Sequence, residues 1–368
     1  MKSGNSGRAS LPVLDPQYIT LDITYRCPRS CAFCFMARSS AAARPAKEMT
    51  RAELGRLVNS LAGKPRKFYI SGGEPLLRPD LPWLVKRIKA AGHYCRVITS
   101  LSCAPETALK LIDAGLDELT VSVHGTPELH DASVGAPGAF AGIAKTVAAI
   151  NARRAGRSTK LVFWCTVNKA NHAVLHSVYK ALSALGPDAI AFHHLDFITE
   201  ENLAATAEIF RGELGCEAGL KVSQEMARAI SASRLHAQIM KIKAEKDPGV
   251  RFDLELSPGE MKRWYDPSAV LKKKGFCMSP WNGIWVDPAG EIISCQPLGH
   301  KLGSALKENC LKTFNGPAYA RFRKTLARHG GFLPTCSRCG RTAYMSGSRD
   351  TSRQAARPAK APPEKNRP

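Results

Sequence analysis

The strongest constraint on the fold is a regular alternation of short apolar runs and helical patterns between residues 18 and 197. Six runs are short, β-branched and aromatic, as buried strands are: Tyr18–Tyr25, Lys67–Ser71, Tyr94–Ser100, Glu118–His124, Leu161–Val167 and Ala189–Phe197. The helical patterns between them cover Thr50–Ala62, Leu81–Ala91, Pro105–Ala114, Phe140–Arg153 and Ala173–Leu185. Successive βα units predict a parallel sheet, either doubly wound or a partial barrel, with its working site at the carboxyl ends of the strands.

Cysteine content is the second constraint, since the chain has 12 cysteines. No apolar stretch approaches the roughly 20 residues that cross a bilayer, and the first ten residues lack the apolar core of a signal peptide. We therefore expect a cytoplasmic protein, in which metal ligation explains grouped cysteines better than disulfides do. Five cysteines are scattered, as small core residues often are: Cys95, Cys103, Cys165, Cys216 and Cys310.

The first cysteine group follows the first predicted strand directly. Cys27, Cys31 and Cys34 have the spacing Cys-x3-Cys-x2-Cys. Three thiolates on one short loop can ligate three irons of a [4Fe–4S] cluster and leave the fourth iron open to a small molecule. A structural zinc site is the alternative, but zinc takes a fourth ligand and no nearby histidine supplies it.

Two signatures together resemble the radical S-adenosylmethionine (SAM) superfamily. Phe33 precedes the last cysteine of the loop, and the turn Gly72-Gly73-Glu74-Pro75 follows the second predicted strand. Glycines in such a turn let the backbone approach a ligand closely. The resemblance implies that SAM chelates the open iron of a SAM-binding [4Fe–4S] cluster. It also implies that reductive cleavage of SAM gives a 5′-deoxyadenosyl radical, which takes a hydrogen atom from the substrate.

The resemblance also implies individual cofactor contacts. Phe33 takes the position of an adenine-side contact. Gly73 and Glu74, which follow Gly72, take the positions that hold the methionine amino group. Ser122 matches a position that often binds the SAM carboxylate or ribose, and Leu195 matches an apolar position beside adenine. For these last two, an ordinary strand residue is the alternative interpretation.

A second cysteine group lies near the carboxyl terminus. Cys277 and Cys295 have the spacing Cys-x12-Gly-x4-Cys, and Cys336 and Cys339 form Cys-x2-Cys. Spacing alone allows zinc or a cluster, but the region resembles the SPASM/twitch appendages of the superfamily. No cysteine follows Cys339, so the resemblance implies a twitch-like domain with one auxiliary [4Fe–4S] cluster. Cys310 could be a fifth thiol near that cluster, a proton or hydrogen-atom donor, or a buried core residue, which we favour.

These patterns predict a domain organisation. The fold class is α/β, a partial (β/α)6 TIM-like barrel with a small C-terminal α+β twitch-like iron–sulfur domain. The predicted segments are a flexible N-terminus at 1–16, the barrel at 17–200, a helical connector at 201–249, the twitch-like domain at 250–343 and a disordered basic tail at 344–368.

A fully ligated auxiliary cluster is suited to accepting an electron. We therefore expect a radical SAM oxidoreductase that oxidatively modifies a small metabolite or a peptide. The alternatives are an RNA-modifying radical SAM enzyme and a peptide maturase that forms cross-links. A non-enzymatic iron or zinc regulator would leave the Gly-Gly-Glu-Pro turn and the strand pattern unexplained.

The catalytic residues are unknown, and the candidates are polar residues near strand ends together with Cys310. Because side chains alternate along a strand, His193 and His194 cannot both face inward. The strand-end candidates are His124, Asn168, His193, His194 and Asp196.

The formal net charge of +22 lies mostly between residues 17 and 343. A basic surface favours nucleic acid, anionic lipid, an anionic substrate or an acidic protein. Nucleic acid is not favoured, because the basic residues lack the interleaved aromatic residues of single-strand readers. We expect an acidic electron donor such as flavodoxin or ferredoxin. Its predicted docking residues are the run Lys272-Lys273-Lys274 and the cluster Arg321, Arg323, Lys324 and Arg328.

Overall fold

The computed structural model describes residues 13–34, 47–273 and 275–341. The predicted flexible N-terminus lies mostly outside these residues, and the predicted disordered tail lies entirely outside them. Within the described residues, no single helix is long and apolar enough to cross a membrane. One bent pair of helices, Pro127–Val134 and Ala139–Arg153, would meet that test by length and composition alone.

The strands of the described residues form one sheet, in the order β10-β9-β8-β1-β2-β3-β4-β5-β6-β7. Their bounds are β1 (Tyr18–Asp22), β2 (Lys67–Ser71), β3 (Tyr94–Thr99), β4 (Glu118–Ser122), β5 (Lys160–Thr166), β6 (Ala189–His193), β7 (Val250–Asp253), β8 (Gly283–Val286), β9 (Glu291–Ile293) and β10 (Lys301–Ser304). Strands β1 to β7 pair in parallel with their neighbours, and β8 pairs in parallel with β1, whereas β9 pairs antiparallel with both β8 and β10. The α/β class with a partial parallel barrel is therefore confirmed.

The helices connect and cover the strands. They are α1 (Arg51–Ser60), α2 (Leu81–Ala90), α3 (Pro105–Asp113), α4 (Pro127–Val134), α5 (Ala139–Arg153), α6 (Leu175–Ser183), α7 (Glu200–Ile209), α8 (Glu225–Arg228), α9 (Ala232–Ala244), α10 (Pro258–Trp264), α11 (Ser279–Asn282), α12 (Cys310–Phe314) and α13 (Pro317–Arg328). A capping box begins α1, where Thr50 Oγ1 accepts from Glu53 N–H and Glu53 accepts from Thr50 N–H. This reciprocal pairing satisfies two backbone donors that the helix leaves open.

Alternate residues of the parallel strands form the core between sheet and helices. Ile19, Leu21, Phe68 and Ile70 each have 0% exposure. Burying each such side chain contributes roughly 1.5–3 kcal/mol. This periodicity fixes which residues of each strand point into the barrel, because a shift of one residue would expose the whole apolar set.

A cluster of polar and aromatic side chains connects the parallel strands. The Arg96 guanidinium lies 5.0 Å from the centre of the Tyr69 ring and 4.3 Å from that of Trp164. It also pairs with Glu118 over 3.2 Å, and Glu118 accepts a hydrogen bond from the Tyr94 hydroxyl over 2.9 Å. Tyr94 and Glu118 begin their strands, so the cluster extends toward the amino-terminal end of the barrel, away from the cysteine loop.

Strands in the second half of the chain join the sheet of the barrel on both sides. Strand β7 pairs in parallel with β6, and β8 pairs in parallel with β1, so both edges of the barrel sheet are extended. An open barrel has two edge strands with unpaired backbone groups, and these added strands satisfy them. The segment that carries Cys277 and Cys295 is consequently continuous with the barrel sheet.

Candidate functional site

The first cysteine group lies on the loop after β1, at the carboxyl end of that strand. Ser30 N–H donates to Val134 O over 3.2 Å, which fixes the loop to the end of α4. Within the loop, Cys34 N–H donates to Cys31 O over 3.1 Å. Cys27 is exposed, and Cys31 and Cys34 are half-buried. The three thiols therefore sit on a short, anchored loop that a small molecule can reach.

These three thiols share one electrostatic environment. Burial, with the neighbouring charges of Cys34 and Cys27, raises the pKa of the Cys31 thiol to about 12. Burial also raises the pKa of Cys27, and Glu74 and Cys34 add to that effect. Each thiol must lose its proton to bind iron. Three coupled thiols on one loop fit a [4Fe–4S] cluster with one iron free of protein ligands.

The Gly-Gly-Glu-Pro turn packs directly against the start of the cysteine loop. Gly73 N–H donates to Thr24 O over 2.7 Å, and Glu74 N–H donates to Arg26 O over 2.8 Å. A Cβ on Gly72 would lie 2.2 Å from Thr24 O, and one on Gly73 would lie 2.2 Å from Arg26 O. Glycine is therefore required at both positions. These N–H groups already donate to the protein backbone. The backbone carbonyls of the turn are therefore the groups that can accept a hydrogen bond from a ligand's ammonium group.

The buried carboxylate of Glu74 holds this turn in place. It accepts hydrogen bonds from the Thr99 hydroxyl over 2.6 Å and from Ser100 N–H over 2.8 Å. The Ser100 hydroxyl lies 2.6 Å from that of Ser102, which accepts from Arg29 Nε over 2.6 Å. A continuous chain of hydrogen bonds, here the Glu74–Arg29 chain, thus ties the turn to the cysteine loop. The Glu74 carboxylate therefore fixes the geometry of the turn by accepting hydrogen bonds from groups of the protein itself.

Phe33 packs edge-on against His124, with ring centroids 4.6 Å apart. His124 Nδ1 accepts a hydrogen bond from Thr166 N–H over 3.2 Å. Burial, helped by the charge of His130, lowers the pKa of His124 to about 3. The ring is therefore neutral with its proton on Nε2. This arrangement supports a positioning role for His124 beneath Phe33 rather than that of a base acting through Nδ1.

The two strand positions assigned by resemblance differ from each other. Ser122 ends β4, is half-buried, and lies on the same face of the strand as Glu118. That face is the inner face of the barrel, as the predicted SAM contact requires. Leu195 is 2% exposed within the main hydrophobic core, and its carbonyl accepts a hydrogen bond from Trp264 Nε1 over 3.0 Å. Both contacts with SAM remain predictions.

The second cysteine group lines a single cavity of about 50 Å³. Cys277 precedes α11, Cys295 follows β9, and Cys336 and Cys339 lie in and after a short 3₁₀ turn, so the four thiols come from three separate segments. The cavity has mostly apolar walls, formed by Pro280, Trp285, Pro297, Leu298, Phe322 and Leu326. Four thiols around one cavity fit a cluster whose irons are all ligated by the protein.

Burial dominates the electrostatics of this cavity. It raises the pKa of Cys277 to about 11 and that of Cys295 to about 12. It also raises the pKa of Cys336 and of Cys339, and the charges of the neighbouring thiols raise that of Cys336 further. Loading this site with iron therefore requires the release of protons from a water-poor environment.

The two histidines at the end of β6 make different contacts. His193 Nδ1 lies 2.9 Å from Asp253 Oδ2, and its ring meets Trp164 at 4.5 Å. His194 Nδ1 lies 2.8 Å from the Tyr265 hydroxyl oxygen, and burial lowers the pKa of His194 to about 4. His193 thus lies on the inner face with a carboxylate beside it, an arrangement that can move a proton. His194 lies against α10 on the other face.

The other predicted catalytic candidates lie in structural contacts. Asp196 Oδ1 accepts a hydrogen bond from Gly340 N–H over 2.7 Å, and burial raises the pKa of Asp196. It therefore joins the end of the barrel to the second cysteine group. Cys310 begins α12 with 0% exposure in the main core. Asn168 is buried, and its N–H donates to Asn171 Oδ1 over 2.8 Å.

The predicted basic cluster of the electron-donor surface is engaged within the protein. Arg321 Nε donates to Glu213 O over 2.7 Å, and Arg328 pairs with the Glu213 carboxylate over 2.6 Å. Arg323 Nε donates to Pro280 O over 2.7 Å. These contacts hold α13 against its neighbours, which gives the arginines a structural reason to be there. The third lysine of the predicted lysine run lies outside the described residues.

Sequence analysis missed Asp22, the last residue of β1. It is 1% exposed, and Gln296 Nε2 donates to its Oδ2 over 3.1 Å. Among the described residues, its Oδ1 has no hydrogen-bond partner. Burial raises the pKa of Asp22 to about 7. The available signal was an acidic residue inside the otherwise apolar first strand, at a position that meets the second cysteine group.

A larger cavity, of about 540 Å³, lies at the opposite end of the barrel. Its walls include Tyr18, Lys67 and Tyr94, which begin their strands. None of the cysteines lines it. Parallel α/β barrels place their chemistry at the carboxyl ends of the strands, so the cysteine groups mark the candidate site.

A partial parallel barrel with a three-thiol loop at its first strand and a four-thiol cavity beside it defines an iron–sulfur protein with two separate centres. Residues 21–170 match the radical SAM superfamily, and residues 277–340 match SPASM, an iron–sulfur cluster-binding domain. The chain therefore contains a radical SAM domain followed by a C-terminal SPASM iron–sulfur domain. It therefore uses SAM, a SAM-binding [4Fe–4S] cluster and auxiliary iron–sulfur chemistry, in agreement with the sequence analysis.

Curated relatives align over most of the chain. It is 29% identical over 321 residues to the PqqA peptide cyclase of Xanthomonas axonopodis pv. citri, which covers 84% of this chain and 77% of the relative. It is 26% identical over 352 residues to the PqqA peptide cyclase of Ruegeria pomeroyi, covering 92% and 83%. An AdoMet-dependent heme synthase of Methanosarcina barkeri is 33% identical over 184 residues, covering 48% and 50%.

Solved structures share the fold. The crystal structure of Streptococcus suis SuiB superposes with a TM-score of 0.58 at 12% identity, covering 84% of this chain and 68% of that one. A structure of anSMEcpe with bound AdoMet gives a TM-score of 0.58 at 14% identity, covering 90% and 88%. At this identity the likeness concerns architecture alone.

Proposed function

We propose that this protein is a radical SAM oxidoreductase that modifies a peptide, removing hydrogen from it to form a cross-link or a new unsaturated bond. The observation that carries the proposal is alignment with PqqA peptide cyclases over 84–92% of the chain. When bound, SAM and the first cluster supply a hydrogen-abstracting radical. This chain's residues anchor the cysteine loop, exclude water and hold the second set of thiols.

The second cysteine group supports an oxidative outcome. Four thiols leave no iron of the auxiliary cluster for substrate, so this cluster is suited to taking an electron. The barrel supplies the other requirement, a place for proton transfer. His193, paired with Asp253 over 2.9 Å on the inner face, is our candidate for that role.

The experiment is a screen of short synthetic peptides with the cluster-loaded protein, SAM and dithionite under anaerobic conditions. We expect one or more peptides to lose two hydrogens by mass spectrometry, with 5′-deoxyadenosine formed in parallel. Omission of SAM is the control for chemical oxidation. Formation of 5′-deoxyadenosine without a change in any peptide would contradict a peptide substrate.

A small metabolite is the second candidate substrate. It is favoured by the likeness of about half of this chain to a heme synthase at 33% identity. The same anaerobic reaction, run with a cell metabolite extract from which peptides have been removed, separates the two candidates. Oxidation of a small molecule in that extract would favour the metabolite, and no change there would favour the peptide.

A further inference from the structure

Two cations lie at the second cysteine group: Arg341 lines its cavity, and Lys273 contacts the backbone of one of its cysteines. Lys273, four residues before Cys277, donates a hydrogen bond from Nζ to the backbone carbonyl of Cys339. Its ammonium also lies 5.4 Å from the centre of the Phe332 ring. Lys273 therefore connects the segment of the first thiol to the segment of the last one, and the contact holds its charge at the cavity.

Lys273 brings a positive charge to two of the segments that carry the thiols. It lies four residues before Cys277, and its Nζ donates to the carbonyl of Cys339. The cavity walls are mostly apolar, and a charge is poorly screened in such surroundings. A cation held beside the cavity therefore favours an additional electron on a cluster held by these thiols.

A negative charge lies on the other side of the same loop. Asp196, at the end of the barrel, accepts a hydrogen bond from Gly340 N–H over 2.7 Å, and its Oδ2 lies 4.0 Å from Arg341 Nε. Lys273 and Asp196 therefore act on the electrostatic potential at the second cysteine group with opposite signs. Lys272, the residue before Lys273, is exposed and makes no such contact among the described residues.

We propose that Lys273 is a positioning residue that raises the reduction potential of the auxiliary cluster and so makes it the electron acceptor of the reaction. The inference rests on the proposed function for its purpose. In that reaction, the deoxyadenosyl radical takes a hydrogen atom from the substrate and a carboxylate or imidazole base takes a proton. The remaining electron passes to the oxidised auxiliary cluster, which gains one negative charge.

The test measures the auxiliary cluster alone and needs no substrate. The first cluster is removed by Cys27→Ala, Cys31→Ala and Cys34→Ala, and the remaining cluster is titrated by electron paramagnetic resonance. In Lys273→Gln we expect the cluster to hold its electron roughly tenfold less tightly, a downward shift of about 59 mV for one electron. Lys273→Arg should restore most of the potential, and Lys272→Gln is the matched control that should leave it unchanged.

A variant of opposite sign protects the test against failure of cluster loading. Asp196→Asn keeps an oxygen for Gly340 N–H and removes the negative charge, so it should shift the potential upward. A potential that is the same in Lys273→Gln as in the parent, or unmoved by Asp196→Asn if the lysine variant does not load, would overturn the proposal. Failure of the peptide screen would leave these potentials unaffected, so the two proposals fail separately.

Discussion

The two cysteine groups solve the same binding problem in opposite ways. The first places three thiols on one loop of eight residues, open to solvent at Cys27 and fixed by backbone hydrogen bonds. The second gathers four thiols from three separate segments around an apolar cavity. Three thiols leave one iron of a cluster without a protein ligand, whereas four thiols leave none. This difference underlies our proposal that the first group serves SAM cleavage and the second accepts an electron.

The open group depends on close backbone contact, which gives the largest expected effect. In Gly73→Ala the new Cβ would lie 2.2 Å from Arg26 O, so the turn and the cysteine loop must move apart. We expect SAM binding and SAM cleavage to fall by more than tenfold, measured by equilibrium binding and by 5′-deoxyadenosine formation. Gly142→Ala is the control, since nothing lies within 4 Å of its Cβ. Alanine is also more favourable than glycine in the middle of a helix, by roughly 0.5–1 kcal/mol. Full SAM cleavage by Gly73→Ala would contradict the described packing.

Asp22 lies where the two regions meet, and its buried charge gives the next effect. Its pKa is about 7 in the folded protein against a usual value of 3.8, with Arg341 and Asp287 as its charged neighbours. The folded state therefore holds the proton more tightly. The contribution of Asp22 to the free energy of unfolding is therefore fully present below about pH 4 and is lost as the pH rises through 7. Each unit of pKa difference corresponds to about 1.4 kcal/mol.

Asp22→Asn should remove that loss. We expect this variant to be more stable than the parent by a few kcal/mol at pH 8, by roughly 1.5 kcal/mol at pH 5, and close to it only below about pH 4, measured by denaturant unfolding of the cluster-loaded protein. Asp113→Asn provides a control of opposite sign, because Arg153 lowers the pKa of the exposed Asp113. An Asp22→Asn variant with the same pH dependence as the parent would show that the carboxylate is not buried as described.

The Glu74–Arg29 chain predicts the smallest effect. Arg29→Gln should weaken the anchor of the cysteine loop and speed loss of the first cluster to a chelator by a few-fold, measured with the second group removed. Ser102→Ala should act similarly, and the double variant should be little worse than either, because both break one chain of hydrogen bonds. Arg26→Gln is the matched control, since Arg26 pairs with Glu48 outside the chain. Additive effects of Arg29→Gln and Ser102→Ala would contradict the proposal that the two residues belong to one chain of hydrogen bonds.

The sequence predicts features that depend on residues close together in the chain, and it does not predict contacts between residues far apart in the chain. The parallel strands, the capping box at Thr50 and the cysteine loop are local patterns, and each lies within a few residues of its predicted position. The pairing of β8 with β1 joins residues more than 260 positions apart, and no local periodicity reports it. The hydrogen bonds of Lys273 with Cys339 and of Asp22 with Gln296 also join distant residues. Local sequence patterns therefore do not predict them either.

The division of labour between the two groups is tested most directly by one anaerobic assay on two cysteine variants. It measures 5′-deoxyadenosine and oxidised peptide together, using a peptide that the wild-type protein oxidises. Cys277→Ala with Cys295→Ala should keep substantial SAM cleavage and lose product, whereas the Cys27→Ala, Cys31→Ala and Cys34→Ala variant should lose both. SAM cleavage by the triple variant, or product formed at the normal rate by the double variant, would contradict the account.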